Sequence, residues 1–572
     1  MNRLKRAFFL IIILAAASAV PAQTNTEKIE QLLAAYHQNG QLNGTVLVVE
    51  KGKTIVRKGY GMANMEWNIP NQPDTKFRIG SVTKQFTAAM ILQLVESGKI
   101  KLDGRITDYL PDYRKDTGDR VTIHQLLNHT SGIPSYTNNP DFFGKVSRDP
   151  YRVSDFVKKF ASGDLEYEPG SRYGYNNSGY FLLGAIIEQV TGKSYAENLD
   201  ERIVKPLGLT GTGYDLSSPL IRNRAAGYQK QIDGYVNAPY LDMSLPYAAG
   251  SMYSTVDDLL KWDRALYGEK ILKAESKKLM FTPGLSDYGY GFVIRDKPIG
   301  GAGLKTKVIQ HGGGINGFNC LFTRLVDQDS LIVILDNVGL GQYHGRMTDS
   351  IVGILNGQSF ELPKKSVIEP VFGLVGSKGS AAAIAEYRRL KSQEADKYEF
   401  NESDLNTVGY QLLGSGKTKD AIEIFKLNVE MYPKSSNAYD SLGEAYRADG
   451  QKDLAIANYR KSVELDPTNA GGVKAINELE GKTVTVDTSG FESYVGEYQL
   501  LPQLVLTITR DGDKLFGQGT GQPKLQLETI SETQFEVTAI NARITFEKDA
   551  SGKVTGLTLV QGGRTIKAPK IR

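Results

Sequence analysis

A chain of 572 residues exceeds what one hydrophobic core serves, so roughly two to four domains are expected. Its 68 Lys and Arg stand against 64 Asp and Glu for a net charge of +4, and they are spread rather than clustered, which argues against a nucleic-acid partner. One cysteine, Cys320, excludes an intrachain disulfide, and the 5 histidines lack ligand spacing; no metal site and no cofactor are expected.

The chain opens with a basic stretch, Met1-Asn2-Arg3-Leu4-Lys5-Arg6, then an apolar run over 7–20 and a small-residue site at Val20-Pro21-Ala22. This predicts a signal peptide over 1–22, too short to span a membrane, and a periplasmic or secreted mature chain. No cysteine follows the run, so no stable membrane anchor is expected after cleavage. Thr45 to Glu50 and Thr54 to Arg57, joined by Lys51-Gly52-Lys53, read as a β-hairpin. Ser81-Val82-Thr83-Lys84 heads an amphipathic run that Gly98 ends, predicting a helix over 81–97 with Ser81 at its N-terminus and Lys84 one turn on, on the same face. A serine needs a nearby base to become a nucleophile, and a lysine so placed can supply one. Further helices are predicted over 178–191 and 255–266, and Leu331-Ile332-Val333-Ile334-Leu335 reads as a buried strand.

Alone, Ser-x-x-Lys is a weak signal. Two later segments change its weight: Tyr173-Gly174-Tyr175-Asn176-Asn177 and Gln310-His311-Gly312-Gly313-Gly314. A Ser-x-x-Lys, a Tyr-x-Asn and a His-Gly-Gly in that chain order resemble the serine hydrolases related to class C β-lactamases, D-Ala-D-Ala carboxypeptidases, D-aminopeptidases and certain esterases. Phe77-Arg78-Ile79-Gly80, Leu126-Leu127-Asn128-His129-Thr130-Ser131-Gly132, Pro206-Leu207-Gly208-Leu209 and the segment from Ala248 to Thr255 are similar to further parts of that family. The resemblance covers about residues 27 to 357. It implies an α/β (α+β) catalytic domain like those of serine β-lactamases and penicillin-binding proteins, a sheet flanked by helices beside a mostly helical subdomain, with the site between them.

The same resemblance implies roles. Ser81 is the nucleophile, Lys84 the base alone or with Tyr175, and Tyr175 the shuttle that passes the proton to the leaving group. Asn177 binds the substrate amide or steadies Lys84. Backbone N–H groups of Ser81 and Gly314 meet the oxyanion, with His311 and Gly313 beside the substrate. A lysine that serves as a neutral base must shift down by roughly 2–3 pK units, which burial and a neighbouring cation can supply; His311 is that cation only if protonated. The β-lactamases carry Lys-Thr-Gly where this chain has His311-Gly312-Gly313; Lys305-Thr306-Lys307 lacks the glycine and reads as a turn. Without that fixed charge, a peptidase, amidase or esterase is expected rather than an efficient β-lactamase. The substrate class is a small peptide, amide or ester, D-amino-acid-containing peptides foremost. The alternative is a catalytically weak penicillin-recognising domain that serves as an envelope adaptor.

Residues 359–380, with Pro363 and Pro370, read as a linker between a hydrolase domain over 23–358 and a helical domain over 381–481. A repeat of period 34 pairs Gly409 with Gly443, Ala421 with Ala455, Phe425 with Tyr459 and Pro433 with Pro467, the tetratricopeptide spacing. Residues 402–469 are the candidate surface for a protein partner or for self-association. Gly416-Lys417-Thr418 lacks the upstream glycine of a phosphate-binding loop. Short apolar runs at 504–508, 524–528, 534–537 and 543–546, with turns at Asp511-Gly512-Asp513, Ser551-Gly552-Lys553 and Gly562-Gly563, predict a small antiparallel β-barrel or sandwich over 487–572.

Overall fold

The computed structural model describes residues 23–572 apart from 140, 232–233, 300–303, 482–487, 502–503, 521, 523, 531, 538–539, 541, 550 and 562–563. The expected signal peptide and the Gly562-Gly563 turn lie outside the described residues.

A six-stranded antiparallel sheet organises the first part of the chain. Its strands are β1 (Gly44–Glu50), β2 (Lys53–Tyr60), β3 (Val293–Ile299), β4 (Leu304–Ile315), β5 (Phe318–Leu325) and β6 (Ser330–Asp336), in the order β3-β4-β5-β6-β1-β2. The expected hairpin and buried strand are β1, β2 and β6. β1 and β6 pair from Gly44↔Asp336 to Val49↔Leu331 and read as unbroken apolar runs because both faces of the sheet are covered. Their alternation still sorts residues by face: Leu47, Val49, Leu331, Val333 and Leu335 enter one core, and Val46, Val48, Ile332 and Ile334 another. Helices α1 (Asn25–Gln38) and α5 (Gly341–Leu355) close the second core through Leu32, Leu33, Met347 and Ile351. Helices α2 (Thr83–Glu96), α3 (Asn177–Thr191) and α4 (Val256–Tyr267) pack into the first.

Two sequence expectations change here. α2 is not amphipathic: every residue from Thr83 to Leu92 is buried, polar ones included. Its polar groups find partners on other elements, Gln85 accepting from the Trp262 indole at 2.9 Å and Thr87 donating to the Ala248 carbonyl at 2.7 Å. Lys305-Thr306-Lys307 is not a turn but strand, paired in β4 with Lys297 and its neighbours on β3.

The stretch expected as a linker also differs. It holds helix α6 (Ile368–Lys378), whose Val371, Phe372 and Val375 are buried in the same core as the repeat helices. That core is built further by α7 (Ser380–Gln393), α8 (Glu402–Gly414), α9 (Thr418–Met431), α10 (Ser436–Ala448), α11 (Lys452–Leu465) and α12 (Ala470–Glu480). The repeat's small residues are needed for contact: a methyl at Gly409 would stand 2.4 Å from the Phe425 ring, and one at Gly443 3.0 Å from that of Tyr459.

The last segment is a nearly closed eight-stranded antiparallel barrel. Its strands follow chain order: β7 (Gly496–Leu501), β8 (Leu504–Asp511), β9 (Lys514–Gly519), β10 (Leu525–Thr529), β11 (Gln534–Val537), β12 (Ala542–Lys548), β13 (Val554–Gln561) and β14 (Arg564–Pro569). The seam joins first to last: Glu497 N–H donates to the Arg572 carbonyl at 2.9 Å and Ile571 N–H to the Glu497 carbonyl at 2.7 Å. Tyr494 stacked on Phe546, with ring centroids 4.2 Å apart, anchors its core.

Candidate active site

Ser81 sits in a single 3-10 turn, Gly80–Val82, that leads into α2. Gly80 has φ +47°, and a methyl on it would lie 2.9 Å from the Gly314 nitrogen. The positive φ and the contact both require glycine, and together they bring the serine's backbone against the end of β4. Gly313 is tighter still, since a side chain there would meet the Ile79 carbonyl at 2.0 Å.

Lys84 follows one turn on, fully buried. Its Nζ lies 3.0 Å from Ser81 Oγ, 2.8 Å from Asn177 Oδ1 and 2.8 Å from the Ala249 carbonyl. Two of these three neighbours are carbonyl oxygens that can only accept. The serine hydroxyl is the one that can donate. Burial pushes the Lys84 ammonium well below the ordinary lysine range. A neutral amine with two N–H bonds spent on carbonyls keeps its lone pair for the hydroxyl of Ser81, the arrangement of a base beside a nucleophile.

Asn177 opens α3 and is fixed from behind, its Nδ2 donating to Thr137 Oγ1 at 3.0 Å and its backbone N–H to Ser135 Oγ at 3.1 Å. Tyr175 lies at the mouth, 38% exposed, with Lys84 Nζ 4.9 Å from its ring centroid. Desolvation pushes its phenol up.

His311 is placed beside these groups but not as a free arm. Its Nδ1 donates to the Gly312 carbonyl at 2.6 Å, so Nε2 accepts from the Tyr288 hydroxyl at 2.8 Å. Burial, with Lys84 adding to it, holds the ring down at about 4, so it is neutral near pH 7. His311 therefore supplies no cation beside Lys84, and desolvation moves the lysine. Both ring nitrogens are engaged within the protein, which makes His311 a wall of the site rather than a grip on substrate.

Sequence reasoning missed several contributors. His129 lies behind Tyr175, with ring centroids 4.4 Å apart, accepts the Asn176 N–H at 3.0 Å and packs against Tyr180 and Tyr288. Thr137, Ser135 and Phe143 come from a loop without a readable pattern. The Ala249 carbonyl lies in a segment marked by the resemblance alone; no side-chain pattern announces a backbone acceptor.

A serine hydroxyl 3.0 Å from a buried lysine amine, between a six-stranded sheet and a helical layer, is the arrangement of a class of serine hydrolases. Residues 28–352 match the family described as Beta-lactamase, and the chain belongs to it. Residues 436–469 match Tetratricopeptide repeat, and 480–567 match a domain of unknown function, DUF3471. Penicillin-binding protein 4* of Bacillus subtilis (strain 168) is 29% identical over 365 residues, covering 60% of this chain and 79% of the relative. The crystal structure of D-amino acid amidase from Ochrobactrum anthropi SV3, complexed with L-phenylalanine amide, is similar at a TM-score of 0.51 and 25% identity, over 58% of this chain and 99% of that one. The octameric penicillin-binding protein homologue from Pyrococcus abyssi matches 95% of this chain and 99% of its own at a TM-score of 0.50 and 19% identity, a likeness of fold.

Proposed function

We propose that this serine hydrolase cleaves amide or ester bonds of D-amino-acid-containing peptides, amides or esters through a covalent ester on Ser81. Ser81 Oγ gives its proton to neutral Lys84 Nζ and bonds to the substrate carbonyl carbon. The carbonyl electrons move to oxygen, where the backbone N–H groups of Ser81 and Gly314 meet the charge; such a donor contributes roughly 3–4 kcal/mol. Tyr175 hands a proton to the leaving group as the carbonyl re-forms and the C–N or C–O bond breaks, and it takes back from Lys84 the proton that left Ser81. Water then attacks the seryl ester by the same proton path in reverse. The observation that carries this reading is the Lys84 environment, two carbonyl acceptors at 2.8 Å and one hydroxyl at 3.0 Å.

The D-amino-acid preference is supported by the amidase named above. A neutral His311 in place of a permanent lysine charge supports amides, peptides and esters over β-lactam turnover. The basic and apolar residues 1–20 support export and a periplasmic or secreted site of action. The test is covalent labelling by a fluorophosphonate, followed by turnover of D- and L-aminoacyl p-nitroanilides and short esters. Ser81→Ala is expected to lose label and turnover together. Tyr175→Phe is expected to lose about a hundredfold or more in kcat with KM little changed, as removal of a proton carrier does. Full turnover in Ser81→Ala would refute the site.

A further inference from the structure

The cleft continues beyond the serine. A cavity of about 90 Å³ holds Ser81, and a second of about 630 Å³ adjoins it, with Phe143, Gly314, Ile315 and Asn316 lining both. The far wall of the second comes from outside the sheet-and-helix unit. Thr407, Val408 and Gln411 of α8, the first helix of the tetratricopeptide pair, face into it. Thr407 and Gln411 are one helical turn apart and both are exposed.

The strand beside the serine points the same way. β3 pairs with β4 only as far as Val293↔Gln310, while β5 accompanies β4 to Ile315↔Phe318. From His311 onward, among the described residues, β4 is paired on one side only. An extended peptide can add to such an edge through its backbone. Laid along it, the peptide passes Ser81, reaches Asn316 and enters the second cavity.

The lining there is neutral and mixed, apolar where Phe143, Ile315, Val338, Leu340 and Ile368 meet it and polar elsewhere. Its two charged residues, Lys230 and Glu369, are paired with each other at 2.6 Å, and the rest of its polar surface is amide and hydroxyl, Gln342 and Gln411 among them. A peptide segment finds donors and acceptors there; a free carboxylate or ammonium would leave water without an unpaired counter-charge.

We propose that the second cavity is a subsite for the part of a peptide substrate remote from the scissile bond, so that α8 takes part in substrate selection. This rests on the hydrolase reading above. The subsite favours chains that run several residues past the cleaved bond with uncharged side chains, and it makes the repeat segment a specificity element.

The test uses the full chain and its Thr407→Trp and Gln411→Trp variants, which place a large ring in the cavity from exposed helix positions. Values of kcat/KM are compared for a short p-nitrophenyl ester and for peptide amides extended by three uncharged residues on the acyl or the leaving side. Extension on one side is expected to raise kcat/KM by about tenfold in the parent, and both variants to lose that gain while keeping the short ester's rate. No gain on either side, a gain that survives in both variants, or an equal loss on the short ester overturns the subsite. The same gain from an oligosaccharide extension overturns its assignment to peptides. Fluorophosphonate labelling of the parent separates the causes. A labelled Ser81 without the gain removes the subsite alone, whereas an unlabelled Ser81 removes the hydrolase reading and the subsite with it.

Discussion

Lys84 stores the clearest thermodynamic signature at the scale of single residues. Its folded-state pKa lies well below the unfolded value of about 10.4. Between those two values the unfolded chain holds a proton that the folded protein does not, so stability rises with pH across the window, by up to about 1.4 kcal/mol per pH unit. In Lys84→Met that slope disappears. Urea unfolding over the pH range just below about 10 is expected to show the parent gaining stability on the variant as pH rises; parallel curves would place the lysine in its ordinary range and remove it as a neutral base. The rate should carry the same sign. Protonation of Lys84 removes the base, so kcat/KM should fall on the acid side as the lysine takes up its proton, while burial holds His311 down at about 4 and His129 well below its usual value.

At the scale of elements, the turn from β6 into α5 carries a compensated pair. Asp336 Oδ1 accepts the N–H groups of Val338 at 2.9 Å and Leu340 at 3.2 Å, and burial raises its carboxyl to about 7. His344 on α5, 4.0 Å away, is pushed down to about 4 by burial. Between about pH 4 and 6.5 the folded protein holds one proton on Asp336, and the unfolded chain holds one on His344, so together they leave stability flat. Each single variant should uncover the other residue. Asp336→Asn leaves His344, and stability should rise with pH over that window. His344→Phe leaves Asp336, and stability should fall. Equal slopes in both variants, read from denaturation midpoints, would break the assignment. Elements whose apolar residues fall in dense runs or at helical spacing were legible from sequence, among them β1, β2, β6, α3 and α4. α6 was not. Pro370, Gly373 and Gly376 look like a connection, yet the proline falls in the first turn, where its missing N–H costs nothing, and Val371, Phe372 and Val375 supply the burial. The lysines at 305 and 307 concealed a strand although Thr306 between them is buried, an alternation of period two. In the site, Ser81, Lys84, Tyr175 and Asn177 were legible because their residue types carry chemistry. Ser135, Thr137 and the Ala249 carbonyl were not, because a backbone oxygen or a loop hydroxyl acquires its role only when distant segments meet it.

The whole molecule joins its parts by specific contacts. Asn39 and Gln41 donate to the carbonyls of Pro363 at 2.8 Å and Lys364 at 2.9 Å, and Arg346 pairs with Glu399 at 2.8 Å. These are polar, two of them part-buried and the Arg346–Glu399 pair exposed, and such polar joins fix the orientation of one part on another. A chain of residues 23–362 keeps both cores of the sheet. It is expected to melt cooperatively and to hydrolyse short esters at the parent's rate, with no advantage for extended peptides. A folded truncation inert on short esters would show that the later segments complete the chemistry itself. The barrel obeys a different logic, that of time. Each neighbouring pair of strands forms from residues close in sequence, and such hairpins close within microseconds. The seam between Glu497 and Ile571 joins residues at opposite ends of the segment, and the loop-closure entropy it must overcome is least once the hairpins between them exist. Closure is therefore the late step of the barrel's folding. Until it occurs, the edges of β7 and β14 stand unpaired and open to another chain, so refolding yield should fall as protein concentration rises, through a species with its hairpins formed and its ring open.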